Sequence, residues 1–292
     1  MPAETMCPHC SKRYSVQGEH VGKTVTCKGC GQKFVIEDLS GPARSPGRVP
    51  VYRPERAAGA GRAVATPTPF LDSISRHIEK TIGPAPSVFH EIVSTDVHID
   101  LHVVPAQPGI RPSQDRPLGG DYVTVVTSGM SSRPMKVPAT SKQSGVSEYA
   151  ELMLALPKNW PGLRPDGTFD QGEMKDESRW WPFRWLKQMA RLPHEYGTFF
   201  AHGVTVPNGE PAKPFVAGSK LCCWMLFKPL LCLGARQLQI DSNTRIDFFA
   251  LFAITEREMN LKLNQGPQAL VHALADGEVY TELLDVRRRS VV

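Results

Sequence analysis

Four cysteines carry the clearest chemistry in the chain. Cys7 and Cys10 form one Cys-x-x-Cys pair, Cys27 and Cys30 form a second, and sixteen residues separate them. Two thiolates two residues apart grip one tetrahedral metal from a tight turn. A second pair, delivered by a short β excursion, completes four-sulfur coordination. The expectation is one structural zinc ion on Cys7, Cys10, Cys27 and Cys30. Four thiolates saturate the metal, so no position remains for a catalytic water, and neither His9 nor His20 is needed as a ligand. A redox-active Cys-x-x-Cys is the competing reading, and two pairs at this spacing speak against it. Tyr14, Val16, Val21, Val25, Phe34 and Val35 are too few to make a sufficient core. The metal must supply the missing folding energy, on the order of 10 kcal/mol for a four-ligand zinc site.

The rest of the chain offers polar groups but no catalytic signature. In VHIDLHVVP, residues 97–105, Val97, Ile99, Leu101 and Val103 point one way and His98, Asp100 and His102 the other. Facing imidazole and carboxylate could bind a metal or support an activity. The plainer reading is the solvent face of a half-exposed strand. His194-Glu195-Tyr196 follows a helix end, where a histidine gains from the helix dipole without any catalysis. Ser128-Gly129-Met130-Ser131 reads as a turn whose glycine permits left-handed backbone, with no base beside the serine. The nucleophile elbow, the phosphate-binding loop and the dinucleotide fingerprint are all missing. The chain is therefore expected not to be an enzyme. Cys222, Cys223 and Cys232 lie in an apolar run and read as buried, reduced thiols, which fits a reducing cytoplasm.

These groups need elements to position them. Residues 1–38 form the zinc module. Residues 39–68 are rich in Pro, Gly, Ala and Arg without helical or strand period, and read as a flexible basic linker. Residues 69–292 form the large domain. Phe70, Leu71, Ile74 and Ile78 mark one face of a short helix, capped by Thr68 or Asp72 and ended near Gly83. Strands follow at 97–105 and at YVTVVT, 122–127. EYAELMLALP, 148–157, fits strand or helix, and its apolar bias favours strand. Residues 182–192, PFRWLKQMARL, are the clearest helix, with Pro182 in its first turn. The stretches 215–233 and 246–254 read as core strands, Asn208-Gly209 as a turn, and Thr255-Glu256-Arg257-Glu258 as a capping box opening a helix. A last helix spans 267–274, and Arg287-Arg288-Arg289 marks a basic end. Mixed elements without a βαβ repeat give an α+β domain, its mainly antiparallel sheet flanked by helices.

Composition narrows the function. The 292 residues are 41% hydrophobic and 22% charged, which is ordinary globular usage. Residues 1–64 carry ten Lys/Arg against five Asp/Glu, and so hold the entire net charge of +5. The balanced remainder argues against a nucleic-acid footprint on the large domain. The opening MPAETMCPHC lacks the apolar core of a secretory signal, and no apolar run reaches the ~18 residues of a membrane span. A cytoplasmic protein without a membrane span is expected.

Two resemblances follow from these residues. Cys7, Pro8, Cys10, Tyr14, Val16, Gly22, Val25, Cys27, Cys30, Gly31 and Phe34 fall at the positions of a short bacterial zinc-ribbon finger. VHIDLHVVP, YVTVVTSGMS, YAELMLALP, WPFRWLKQMARLPHEYGTFFAHGVTV and IDFFALFAITEREM, in that order, resemble the Suppressor of fused domain. The resemblance implies a protein-binding module that clamps an extended peptide of its partner as an added strand. Eukaryotic members have two lobes and restrain a transcription factor in Hedgehog signalling. By the resemblance this chain is expected to hold only the equivalent of the first lobe, so that role is not carried over. Bacterial single-domain relatives resemble immunity proteins that bind and neutralise a toxin. By the same resemblance Tyr122, Ser128, Gly129, Met130 and Ser131 are candidate partner-binding residues. The competing function is a nucleic-acid-associated regulator using the zinc module and the linker arginines.

Overall fold

The computed structural model describes residues 2–6, 13–20, 22–36, 55–56, 69–91 and 94–292. Most of the expected linker, 39–68, lies outside the described residues, as do Cys7 and Cys10. The chain divides into two compact units. One is Met1–Val49 with Asn264–Gly266, and the other is Pro50–Leu263 with Pro267–Val292.

The first unit contains two small antiparallel ribbons. Strand β1 (Pro2–Met6) pairs with β2 (Arg13–Gln17), and β3 (Thr24–Thr26) pairs with β4 (Lys33–Val35). Among the described residues its apolar core is Cys27, Phe34 and Ile36, with Tyr14, Val16 and Val25 packed against them. Gly31 takes φ +72° in the turn between β3 and β4, a conformation open to glycine at no steric cost.

The second unit is built on one eight-stranded sheet. Helix α1 (Leu71–Thr81) leads into β5 (Ser87–Phe89), β6 (Asp100–Val104) and β7 (Tyr122–Ser128). A short helix α2 (Ala139–Gln143), strand β8 (Tyr149–Pro157) and the long helix α3 (Glu177–Tyr196) follow. Then come β9 (Thr205–Pro207), β10 (Leu221–Phe227), β11 (Gln237–Gln239) and β12 (Arg245–Thr255), and last α4 (Glu256–Gln265) and α5 (Pro267–Asp276). The order is β5-β6-β7-β8-β12-β10-β9, with β11 also on β12. Among the described strands, the β8–β12 pair alone is parallel. The α+β architecture with a mainly antiparallel sheet is as the sequence predicts.

Alternation along each strand sends two side-chain sets to opposite faces. Leu152, Leu154, Phe249 and Leu251 join Trp181, Phe183, Leu186 and Met189 of α3 in the largest core. Met153, Phe248 and Ala250 meet Ile74 and Ile78 of α1 on the other side. Phe252 and Ile254 continue that second face under Leu270 and Leu274 of α5. The sheet is thus covered on both faces, and each fully buried apolar side chain contributes about 1.5–3 kcal/mol.

Several local expectations change. Val97, Ile99, Leu101 and Val103 do enter the main core. The opposite face, however, is not solvent: Asp100 and His102 are each 3% exposed. Helix α3 begins earlier than the pattern suggests. Asp176 caps it by accepting the Ser178 N–H at 2.9 Å, so Pro182 lies inside the helix rather than in its first turn. Phe70 precedes α1 without a side-chain cap, and Thr68 lies outside the described residues. Of 215–233, only Leu221–Phe227 is strand. The capping box forms as written: Glu258 accepts the Thr255 N–H at 2.8 Å, and Thr255 Oγ1 accepts the Glu258 N–H at 3.4 Å.

Glu258 also explains the basic end. Arg288 reaches both its carboxylate oxygens at 2.6 Å and donates to Ala253 O at 3.0 Å, while Val291 N–H donates to Glu258 at 3.0 Å. Burial works to raise the Glu258 pKa, and Arg288 outweighs it and holds the carboxyl low. Breaking a buried ion pair strands its partner. Arg288→Ala should therefore lose about 3–5 kcal/mol in urea denaturation, whereas Arg287→Ala, exposed beside it, should change little.

Candidate functional site

The candidate partner residues are organised around one buried carboxylate. Strand β7 separates from β8 after the pair Val126↔Met153, and the chain turns at Ser128–Ser132. Gly129 takes φ +111°, and a Cβ there would collide with the His98 carbonyl oxygen, so the position requires glycine. Glu151 fills the space beneath. Its Oε1 accepts the Gly129 and Ser131 N–H groups, both at 3.0 Å, and Ser131 Oγ–H at 2.6 Å. Its Oε2 accepts Thr127 Oγ1–H at 2.6 Å. On the far side of the turn, His194 Nε2 donates to Met130 O at 2.8 Å. Burial pushes the His194 pKa down to about 4. The imidazole is thus neutral at pH 7 and acts as a hydrogen-bond donor, not as a charge against the helix dipole.

Tyr122, Ser128, Gly129, Met130 and Ser131 are all buried. Tyr122 donates its hydroxyl to Leu231 O at 2.9 Å, 109 residues away in sequence, and burial raises its pKa. The turn and Tyr122 are therefore held from within, and what a partner could touch is the surface they shape. The serine is not without a base: His102 Nε2 lies 2.9 Å from Ser128 Oγ. At 3% and 1% exposure the two side chains face no solvent, and burial lowers the His102 pKa. They satisfy one another inside the sheet.

The first half of the chain gathers a second polar group. Asp100 Oδ2 meets His90 Nδ1 at 3.0 Å, and Oδ1 meets His98 Nε2 at 2.8 Å and the Glu91 N–H at 3.1 Å. Glu91 in turn is bound by Lys187 at 3.1 Å and by Arg191, both from α3. Burial would raise the Glu91 pKa, but Arg191 and Lys187 overcome it and hold the carboxyl low. Among the described residues no group of three His, Cys, Asp or Glu side chains is arranged to hold a metal ion. The sequence pattern did not reach Glu91, Glu151 or Ser94. Glu151 left a trace, as the one charged residue inside the apolar run YAELMLALP.

The strand path ends at β5 and β9, and the short β11 also pairs on one side only. Edge strand β9 contains Pro207, which has no N–H to offer a further strand. Edge strand β5 has no proline within it and is only partly buried. Its Phe89 is 37% exposed and packs on Phe169 and Trp180 at centroid distances of 5.5 and 5.4 Å. Lys187 Nζ lies 4.8 Å from the Phe89 ring centre, within cation–π range.

In the first unit, Cys27 and Cys30 sit on the turn after β3. Cys27 Sγ accepts the Gly29 N–H at 3.3 Å and lies 3.0 Å from the Tyr14 hydroxyl. The Gly31 N–H returns to Cys27 O at 2.8 Å, closing the turn. Cys222, Cys223 and Cys232 are buried and make no disulfide, and burial raises all three thiol pKa values.

Glu151 makes stability depend on pH. Burial raises its pKa to about 7 in the folded chain, against the pull of its four donors. A raised folded pKa gives stability that is fully present below the unfolded value and is lost as pH rises through about 7. Stability should fall by about 3 kcal/mol between pH 4.5 and pH 8 from this group. Glu151→Gln should flatten that slope in urea titrations, and Gly129→Ala should destabilise at every pH.

A family model described as Suppressor of fused protein (SUFU) matches residues 95–289. No curated protein matches the chain. Among solved structures, the chain is similar to a SUFU homolog from Neisseria gonorrhoeae FA 1090, at 16% identity over 76% of this chain and 96% of that one, with a TM-score of 0.49. It is similar to the Sufu–Fu complex structure at 16% identity over 77% and 93%, TM-score 0.51. It is also similar to Drosophila Suppressor of Fused at 17% identity, covering 78% of this chain and 53% of that one, TM-score 0.50. The last two share this fold. With most of its length matched by one family model, and strands β6 to β12 and the turn described above inside that match, the chain belongs to the Suppressor of fused protein family.

Proposed function

We propose that the chain is a non-enzymatic, cytoplasmic protein-binding module that restrains a partner protein, in the manner of a toxin-immunity pair. The observation that carries the reading is edge strand β5, which extends the family-matched sheet by one strand at its open side. An extended segment of the partner adds to Ser87–Phe89 by main-chain hydrogen bonds, and the Phe89, Phe169 and Trp180 surface selects its side chains. A solved structure similar to this chain is a Sufu–Fu complex, which supports a protein as the ligand class. No helix among the described residues is long and apolar enough to cross a membrane.

We further propose one structural zinc ion on Cys7, Cys10, Cys27 and Cys30. Cys27, within the described half of the set, fits. An N–H donor and a hydroxyl converge on Cys27 Sγ, as suits a sulfur that carries charge as a thiolate. The ion fixes the turn and does no chemistry, since four thiolates close its shell.

Affinity capture with the full-length chain and with residues 69–292 tests the first reading. Both should retain the same protein, and Phe89→Ala should weaken capture about tenfold, the loss of one moderate hot spot. Retention of nucleic acid alone, only by the full-length chain and lost steeply with salt, would instead support the regulator reading. For the metal, elemental analysis should give one zinc per chain, falling in Cys27→Ser. A chelator should unfold residues 1–38 and leave the melting of the large domain unchanged.

A further inference from the structure

Ser94, His98 and Asp100 stand in a hydrogen-bonded series that neither the family nor the partner-binding reading uses. Ser94 Oγ lies 2.6 Å from His98 Nδ1, and His98 Nε2 lies 2.8 Å from Asp100 Oδ1. A carboxylate only accepts, so it fixes the ring proton on Nε2 and leaves the Nδ1 lone pair for the serine hydroxyl. Asp100 is itself anchored, by His90 at Oδ2 and by the Glu91 N–H at Oδ1. The arrangement is a hydroxyl hydrogen-bonded to a base whose orientation a buried carboxylate holds, the relation that activates a serine nucleophile.

The backbone between these residues is bent to make it. Asp96 has φ +63°, and the Val97 N–H donates to Thr95 O at 2.7 Å, two residues back. Such a γ-turn with positive φ is rare and strained for a residue with a side chain. It reverses the chain so that Ser94 returns over His98, four residues on. Strain of this kind persists where the surroundings over-determine it and clusters at functional sites. Ser94 is 7% exposed and the His98 side chain 27% exposed. The pair therefore borders solvent, unlike the wholly buried His102–Ser128 pair.

We propose that Ser94 is a base-activated nucleophile that accepts an acyl or phosphonyl group from a small activated ester. In the reaction, Ser94 Oγ bonds to the electrophilic carbon or phosphorus. Its proton passes to His98 Nδ1. The leaving group departs with the electrons of the broken bond, as fluoride from a fluorophosphonate or as an alkoxide that takes the proton back from His98. Asp100 positions the ring and faces the imidazolium that forms.

The test uses the full-length protein and a small dialkyl fluorophosphonate, with adducts mapped by peptide mass spectrometry. The expected result is one adduct, on Ser94, in the native protein. It should be absent from the urea-unfolded protein, and the rate should fall at least about 100-fold in His98→Gln, the scale of one general base. In Asp100→Asn the midpoint of the rate's pH profile should move to lower pH, which a loss of folding alone would not produce. Thermal melts show whether each variant is folded. If either variant fails to fold, the native-against-unfolded comparison decides. No adduct on Ser94 in the native protein overturns the proposal. So does equal labelling of native and unfolded chains, or undiminished labelling in a folded His98→Gln.

Discussion

The sheet depends on one pairing, the parallel contact of β8 with β12. On one side of it lie β5, β6 and β7, and on the other β10 and β9, each antiparallel to its neighbour. Without it there are two ribbons, each with an open edge and a naked apolar face. Parallel neighbours need a crossover, and this one carries α3, which covers one face of the strands it connects. Both central strands are buried on both sides, so they read as near-continuous apolar runs. A charge within such a run must be held by donors, and Glu151 in β8 is.

The buried charges share a logic. Glu151 holds the turn after β7, Glu258 holds the C-terminal arginine, and Asp100 holds two imidazoles. In each case a carboxylate taken out of water is surrounded by donors from sequence-distant or turn segments, so the cost of its desolvation becomes a requirement for one local geometry. That is how a loop such as 128–132, short of apolar contacts of its own, becomes well defined. It also links the candidate partner surface to the core: a change at His194 or Glu151 is felt at Met130 and Ser131.

Much of the fold was legible because periodicity reports faces. Val97, Ile99, Leu101 and Val103 alternate onto one face and enter one core. The Thr255–Glu258 cap is legible in four residues because its hydrogen bonds close within a single turn. Prolines misled where tertiary packing overrode them: Pro182 is tolerated inside α3, a helix buried along one side and capped by Asp176. The candidate residues 128–131 were found by resemblance, and nothing in their spacing announced that Glu151 lies beneath them.

By itself the sequence determined the Cys-x-x-Cys spacing, the strand and helix faces, and the placing of all net charge before residue 65. Each is a local property, set by the reach of a few bonds or by a repeat of two or 3.6 residues. Tertiary structure alone decided that Asp100 and His102 are interior, that Arg288 is a buried ion-pair partner, and that Ser94 meets His98 across a positive-φ turn. Alternation states that two faces differ in polarity. What covers each face depends on segments distant in the chain, and a polar side chain goes inside only where those segments bring it a partner.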